Sequence, residues 1–203
     1  SKAFFIAIGV NETGCKEVIG LDLFDAERED TWKTFFSGLK ARGLHGVDFI
    51  ISDDHQGLVK AVKECFTGVC WQRCQVHFER NIMLKTPKRY QAGLTGELRS
   101  MFNAATLEEA RRLKTEIIDE YQDVASEAME ILDNGFEDSM AIMALPMKYR
   151  RSTRSSNIIE RENREIRRRE QVIQIFPNQE SAIRVIGALL LDHHDEWQDT
   201  RRR

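Results

Sequence analysis

The sequence contains no apolar run of membrane-spanning length and no secretory hydrophobic segment. Its four cysteines lack the spacing of a disulfide framework for a chain of 203 residues, and no internal repeat or low-complexity segment is present. These absences argue against integral-membrane, disulfide-stapled and repeat proteins. They predict a globular protein of a reducing, cytoplasmic setting that does not act at a membrane.

The net charge of −3 hides two segments of opposite sign. Residues 104–145 carry eleven acidic and three basic side chains, a net of −8. Residues 148–169 carry nine basic and three acidic side chains, a net of +6. A basic segment this dense favours a polyanionic partner such as nucleic acid.

Short strands and helices alternate in the first part of the chain. Two β-rich runs around the turn signal at residues 11–14 predict a hairpin, and the apolar spacing of Trp32, Phe35, Phe36 and Leu39 predicts a helix over residues 27–42. The pattern then predicts a strand at 47–51, a helix through Leu58, Val62 and Phe66, a strand at 68–73 and a helix ending before Pro87. This order is typical of a mixed α/β core.

The rest of the sequence is predicted to be helical. We divide the chain into the first part of the core (1–89), an all-helical insertion (90–147) and closing helices (148–203), the last of which follows Pro177 and packs through Ile183, Ile186, Leu189 and Leu190. The acidic insertion could guard a basic groove, form a dimer surface or present a solvated face, and we favour the solvated face.

A helix over 157–169 sets one acid among basic and amide side chains. At helical spacing one stripe contains Asn157, Glu160, Arg161, Arg164 and Arg168. The stripe could contact phosphates, or it could be a solvated helix held by pairs such as Glu160 with Arg164 and Glu165 with Arg169. The spacing alone does not decide between the two.

Two other motifs could carry chemistry. Asp53 follows the predicted 47–52 strand, where it could bind a divalent cation, although an acid there could equally cap the next helix, with Asp54 the better cap. Cys74 and His77 lie three residues apart, but zinc usually needs four ligands, so we favour a packed or hydrogen-bonded pair. Beside them, Arg73 and Arg80 could contact phosphate or face water.

Taken together and in order, these motifs resemble bacterial mutator-type insertion-sequence transposases. The resemblance extends over nearly the whole chain and rests on five segments: 52–58 (SDDHQGL), 71–81 (WQRCQVHFERN), 157–165 (NIIERENRE), 175–178 (IFPN) and 187–197. Each motif alone is weakly specific. The five motifs in this order are far more specific than any one of them.

The resemblance implies a ribonuclease-H-like mixed sheet core with a helical insertion between the second and third of three catalytic acids. Asp53 matches the second acid and Glu160 the third, and together with the first they would hold two Mg²⁺ or Mn²⁺ ions. Cys74 and His77 match a Cys-x-x-His signature near the active site, which Asn157 also adjoins. The first acid is expected on a strand before residue 1, so we expect a catalytic fragment that is inactive by itself.

The resemblance also implies transposon-end and target DNA as partners, a homo-oligomer, and a place at the bacterial nucleoid. The side chains expected to contact DNA are all arginines: Arg73, Arg80, Arg154, Arg161, Arg164, Arg167 and Arg168. Two alternatives stay open. One is a ribonuclease-H-like nuclease or resolvase that cuts without joining, and the other is a non-catalytic DNA-binding or oligomerisation module.

Overall fold

The computed structural model describes residues 2–150, 156–173 and 178–199. The strands are β1 (Ala3–Val10), β2 (Lys16–Phe24), β3 (Phe49–Ser52) and β4 (Cys70–Arg73). The helices are α1 (Glu29–Ala41), α2 (Gln56–Cys65), α3 (Gln75–Leu84), α4 (Lys88–Phe102), α5 (Leu107–Tyr121), α6 (Ser126–Ser139), α7 (Met147–Arg150), α8 (Asn157–Ile173) and α9 (Gln179–Asp199), with a 3₁₀ turn at Ala141–Ala144. The predicted mixed α/β composition is confirmed.

The strands that the structure describes form small sheets, and the ribonuclease-H-like mixed sheet implied by the resemblance stays a prediction. In the described part of the chain, β1 pairs antiparallel with β2, and β3 pairs parallel with β4, as two separate two-stranded sheets. The hairpin and both short strands were predicted within one or two residues. The pairing of β1 with β2 was thereby predicted, but the parallel pairing of β3 with β4 was not, because it depends on tertiary contacts that alternating hydrophobicity does not encode.

The chain divides into two compact units that interleave along the sequence. The hairpin unit comprises Ser1–Gly46, Gln56–Cys65 and Asn157–Arg203, and the helical unit comprises Val47–His55 and Phe66–Ser156. Each unit contains its own buried apolar cluster.

In the hairpin unit, α1 packs its apolar stripe against the β1–β2 hairpin. The rings of Phe5 and Trp32 stack with centroids 3.9 Å apart, and Phe35 meets Phe5 edge-on at 5.8 Å. A Cβ at Gly20 would lie 2.6 Å from Leu39 Cδ2, so the helix can approach this closely only because residue 20 has no side chain.

Helix α9 runs along the same hairpin. Its buried positions Ile186, Leu189 and Leu190 pack with Ile6 of β1 and Ile166 of α8, as the sequence predicted for this helix. Three side chains of α9 also bond to the backbone of β2: Gln179 to Leu23 O at 2.9 Å, His194 to Val18 N at 3.3 Å, and Gln198 to Lys16 O at 3.2 Å. These bonds fix α9 along the length of β2.

The helical unit has a core built largely by the predicted insertion. Residues of α3 to α6 bury a continuous cluster that includes Phe78, Ile82, Leu94, Leu98, Met101, Ile117, Met129, Leu132 and Phe136. Acids on the outer faces form ion pairs, namely Lys85–Glu127, Arg111–Glu137 and Lys114–Asp133. The acidic insertion is therefore more than a solvated face, since its inner side forms most of this core.

Replacing either of two helical glycines of this unit by alanine is expected to change its stability, with opposite signs at the two positions. A Cβ at Gly135 of α6 would collide with the Phe78 ring and lie 2.7 Å from Arg73 Nη1, whereas a Cβ at Gly96 of α4 would meet nothing within 4 Å. Gly96→Ala is expected to stabilise by up to about 1 kcal/mol through helix propensity. Gly135→Ala is expected to lower the free energy of unfolding. Overpacking costs about 1–3 kcal/mol, which outweighs the gain in helix propensity. Urea unfolding of both variants tests this, and a Gly135→Ala variant as stable as Gly96→Ala would contradict the described packing.

Candidate functional site

Asp53 stands directly after β3, at the carboxyl end of the parallel β3–β4 pair. The backbone beside it is held firmly, because Trp71 Nε1 donates to Ser52 Oγ at 2.9 Å and Cys74 N donates to Ser52 O at 2.7 Å. The Asp53 side chain is exposed, and its Oδ1 accepts the His55 N–H at 3.3 Å. A rigid strand end thus presents a carboxylate to solvent.

The next residue, Asp54, is not the helix cap that the sequence favoured. Its Oδ2 lies 3.1 Å from Arg73 Nη2, while the N–H near the start of α2 is accepted by Asp53. The Arg73 side chain is only 12% exposed, and its guanidinium sits 4.7 Å from the centre of the Phe78 ring. Arg73, predicted as a DNA contact, therefore tethers the Asp53–Asp54 turn to the core of the helical unit.

Cys74 follows Arg73 at the N-terminal end of α3 and is fully buried. Its Sγ accepts hydrogen bonds from Ser156 N at 3.4 Å and Ser156 Oγ at 3.2 Å. These contacts agree with the prediction that the cysteine is packed and hydrogen-bonded. His77 lies one turn further along α3 and is half-buried, and Arg80 is exposed at the next turn.

Helix α8 carries the basic surface. An open groove of about 490 Å³ is lined by the helix's exposed arginines Arg161, Arg164, Arg167 and Arg168. Glu165 lines the same groove. Glu165 bonds Arg168 through two contacts of 2.9 and 2.5 Å, which raises the pKa of the Arg168 guanidinium. The expected partner of Glu165 was Arg169, whose side chain lies outside the described residues. A surface that holds several guanidinium groups together is suited to phosphates.

One functional candidate on α8 was missed by the sequence analysis. Glu162 is buried and lies 2.5 Å from His193 of α9, Oε2 to Nδ1. The signal was present in the spacing, because Ile159 and Ile166 mark an inward face of the helix on which residue 162 also falls. The net charge of residues 148–169 includes Glu162 as one acid among three, and that count does not show that its side chain is buried.

The structure groups the predicted site residues into two sets. Asp53, Arg73, Cys74 and His77 belong to the helical unit, at the carboxyl end of β3–β4 and the start of α3. The hairpin unit contains the residues of α8, namely Asn157, Glu160, Arg161, Arg164, Arg167 and Arg168. The convergence of Asp53 with Glu160 stays a prediction. Arg154 and the 175–177 part of the 175–178 motif lie outside the described residues.

In the described part of the chain, no helix has both the length and the apolar character needed to cross a lipid bilayer.

Comparison with known proteins gives a consistent set of relatives. The chain is 45% identical over 205 residues to the transposase for insertion sequence element IS256 in transposon Tn4001 of Staphylococcus aureus, a match that covers all of this chain and 52% of the relative. It is 34% identical over 202 residues to the transposase for ISRM5 of Rhizobium meliloti, covering all of this chain and 51% of that protein. It is 39% identical over 197 residues to the transposase for IS1081 of Mycobacterium tuberculosis, covering 97% of this chain and 48% of that protein.

The chain thus spans about half the length of the curated relatives it matches. A sequence profile described as "Transposase, Mutator family" matches residues 1–200, which is nearly the whole chain. The family predicted from the ordered motifs is therefore confirmed: the chain belongs to the Mutator family of transposases.

Proposed function

We propose that this chain is the catalytic portion of a DNA transposase that cuts transposon ends and joins them to target DNA with the help of divalent metal ions. The observation that carries the proposal is the family match over residues 1–200, supported by relatives that are each named as transposases of insertion sequence elements. Because the chain spans about half of those relatives, the activity is proposed for the full-length protein. Because the proposed activity acts on paired DNA ends, we also propose that the protein is a homo-oligomer.

Asp53 and Glu160 are the proposed metal ligands of this chain. Carboxylate oxygens are the donors that Mg²⁺ and Mn²⁺ prefer, and the exposed Asp53 carboxylate at a rigid strand end fits that requirement. The thiol of Cys74 is a softer donor than a carboxylate and suits these hard cations less well. A ribonuclease-H-like arrangement of the strands in the full-length protein would bring the two acids together. When bound, two such ions activate the attacking oxygen and stabilise the leaving oxygen at phosphorus.

The arginines of α8 are proposed to hold the DNA backbone. Arg161, Arg164 and Arg167 are exposed around the groove described above, and their positive charge would neutralise phosphates without reading base sequence. Arg168 is partly neutralised by Glu165, so we expect it to contribute less than its neighbours.

Arg164→Gln is expected to weaken DNA binding about equally for all sequences. One lost phosphate contact should reduce the slope of log K against log salt concentration by about 1. Arg184→Gln is the matched control, because Arg184 is an exposed arginine of α9 outside the groove. Fluorescence titration at several salt concentrations measures both slopes. Equal slopes for the two variants would show that α8 does not contact the DNA backbone.

The proposed function is tested with the full-length protein and a DNA carrying the ends of its element. With Mg²⁺ or Mn²⁺, the expected products are cleaved ends and ends joined to target DNA, and EDTA should abolish both. Cleavage without joining would favour the nuclease or resolvase. DNA binding with neither product, under conditions where the protein is folded, would favour the non-catalytic module.

A further inference from the structure

A buried acid stands in the middle of the most basic helix of the chain. Glu162 is 5% exposed, and its Oε2 lies 2.5 Å from His193 Nδ1 of α9. Burying a carboxylate costs free energy unless a hydrogen bond compensates it. An apolar side chain at residue 162 would complete the inward face of α8 at no such cost. The acid therefore calls for an explanation beyond packing.

Helical geometry separates Glu162 from the proposed functional side chains. Ile166 lies one turn after Glu162 on the same side of α8 and packs on Ile6 and Ile186 of the hairpin unit. Glu160 and Arg164 are each two residues from Glu162, which is about 200° around a helix of 3.6 residues per turn. They therefore lie on the opposite side of α8.

The partner of Glu162 belongs to a well-anchored helix. His194, the residue after His193, accepts the Val18 N–H at the point where the β1–β2 pairing skips one residue of β2. Together with the bonds from Gln179 and Gln198 to β2, this contact fixes the direction in which His193 points. Glu162 is thus bonded to a side chain that has little freedom to follow it.

We propose that Glu162 and His193 are positioning residues whose hydrogen bond sets the rotation of α8 about its own axis. Apolar contacts such as those of Ile166 are non-directional and tolerate small rotations of a helix, whereas a hydrogen bond to a buried carboxylate does not. Fixing that rotation fixes the direction of Glu160 and of the arginine groove. The consequence for catalysis rests on the proposed function, but the effect on α8 itself does not.

The test compares three variants of the full-length protein. His193→Phe removes the donor, His193→Asn keeps an N–H near the place of Nδ1, and Asp195→Asn is a matched control at an exposed position of the same helix. Amide hydrogen exchange is measured over residues 157–168, with α1 as the reference helix of the same unit, and strand transfer and DNA affinity are measured in parallel.

His193→Phe is expected to speed exchange in α8 about tenfold relative to α1, since hydrogen bonds to charged groups contribute about that factor. Strand transfer should fall about a hundredfold, as a small misplacement of a reacting group does, while the long arginine side chains keep DNA affinity within about threefold. His193→Asn should restore both properties, and Asp195→Asn should change neither.

Three results would overturn the proposal: unchanged exchange in His193→Phe, an equal increase in α1 and α8, or no recovery in His193→Asn. An equal increase would mean that the pair stabilises the whole unit rather than orienting α8. If the wild-type protein shows no strand transfer, the proposed function fails, and the exchange measurements alone decide the role of the pair.

Discussion

Replacing Asp53 by Asn in the full-length protein is expected to lower the rate of DNA strand transfer by about a thousandfold or more. The amide keeps the size of the carboxylate but removes the negative charge that would hold a divalent cation, and metal ions contribute several kcal/mol to transition states of this kind. DNA binding should be largely retained, because the phosphate contacts are assigned to the arginines of α8.

The neighbouring Asp54→Asn is the matched control for this substitution. Asp54 carries the same chemistry one residue away, but its carboxylate is bonded to Arg73. Its loss should loosen the turn and lower strand transfer by less than about tenfold, since an ion pair of this exposure is worth roughly 1 kcal/mol. On α8, Glu160→Gln should match Asp53→Asn, whereas Glu165→Gln should not. Activity in Asp53→Asn comparable to that of Asp54→Asn would refute the metal assignment.

Phe78→Ala is expected to reduce the free energy of unfolding by about 3–5 kcal/mol. The Phe78 ring is fully buried, lies 6.3 Å from the Phe102 ring, and supports the Arg73 guanidinium that reaches Asp54. Gly135 leaves no side chain of its own to fill the vacated space. The substitution should therefore destabilise the core of the helical unit and release the turn that carries Asp53.

Leu84→Ala controls for this prediction, because Leu84 lies on the same helix and is 75% exposed. Its unfolding free energy should stay within about 0.5 kcal/mol of the wild type. Urea unfolding followed by near-ultraviolet circular dichroism measures both variants. A decrease of less than about 1 kcal/mol in the unfolding free energy of Phe78→Ala would show that the Phe78 ring is not packed in this core.

Local structure could be predicted from the sequence wherever periodicity was strong. The stripe from Trp32 to Leu39 placed α1, the run of β-forming residues placed the hairpin, and Pro87 marked the end of the α3 region. The candidate residues Asp53 and Glu160 came from motifs whose order along the chain identified the family.

The partners of individual side chains could not be predicted. Arg73 and Arg80 are both arginines of the 71–81 motif, yet the Arg73 side chain packs on Phe78 and is mostly buried, whereas Arg80 is exposed. Glu162 and Glu165 are both acids of α8, yet one is buried against His193 and the other bonds Arg168 on the surface. The burial of Glu162 depends on His193, 31 positions further along the chain, and the spacing of residues within one helix does not encode such a contact.

The amino-acid sequence alone determined the family, the alternation of strands and helices, and the residue types available for metal and phosphate binding, because each depends on local order along the chain. Only the tertiary structure decided that Asp54 and Arg73 bind each other, that the acidic segment forms a core, and that Glu162 faces inward. Burial and hydrogen bonding are properties of the space around a side chain, and that space is created by elements distant in sequence.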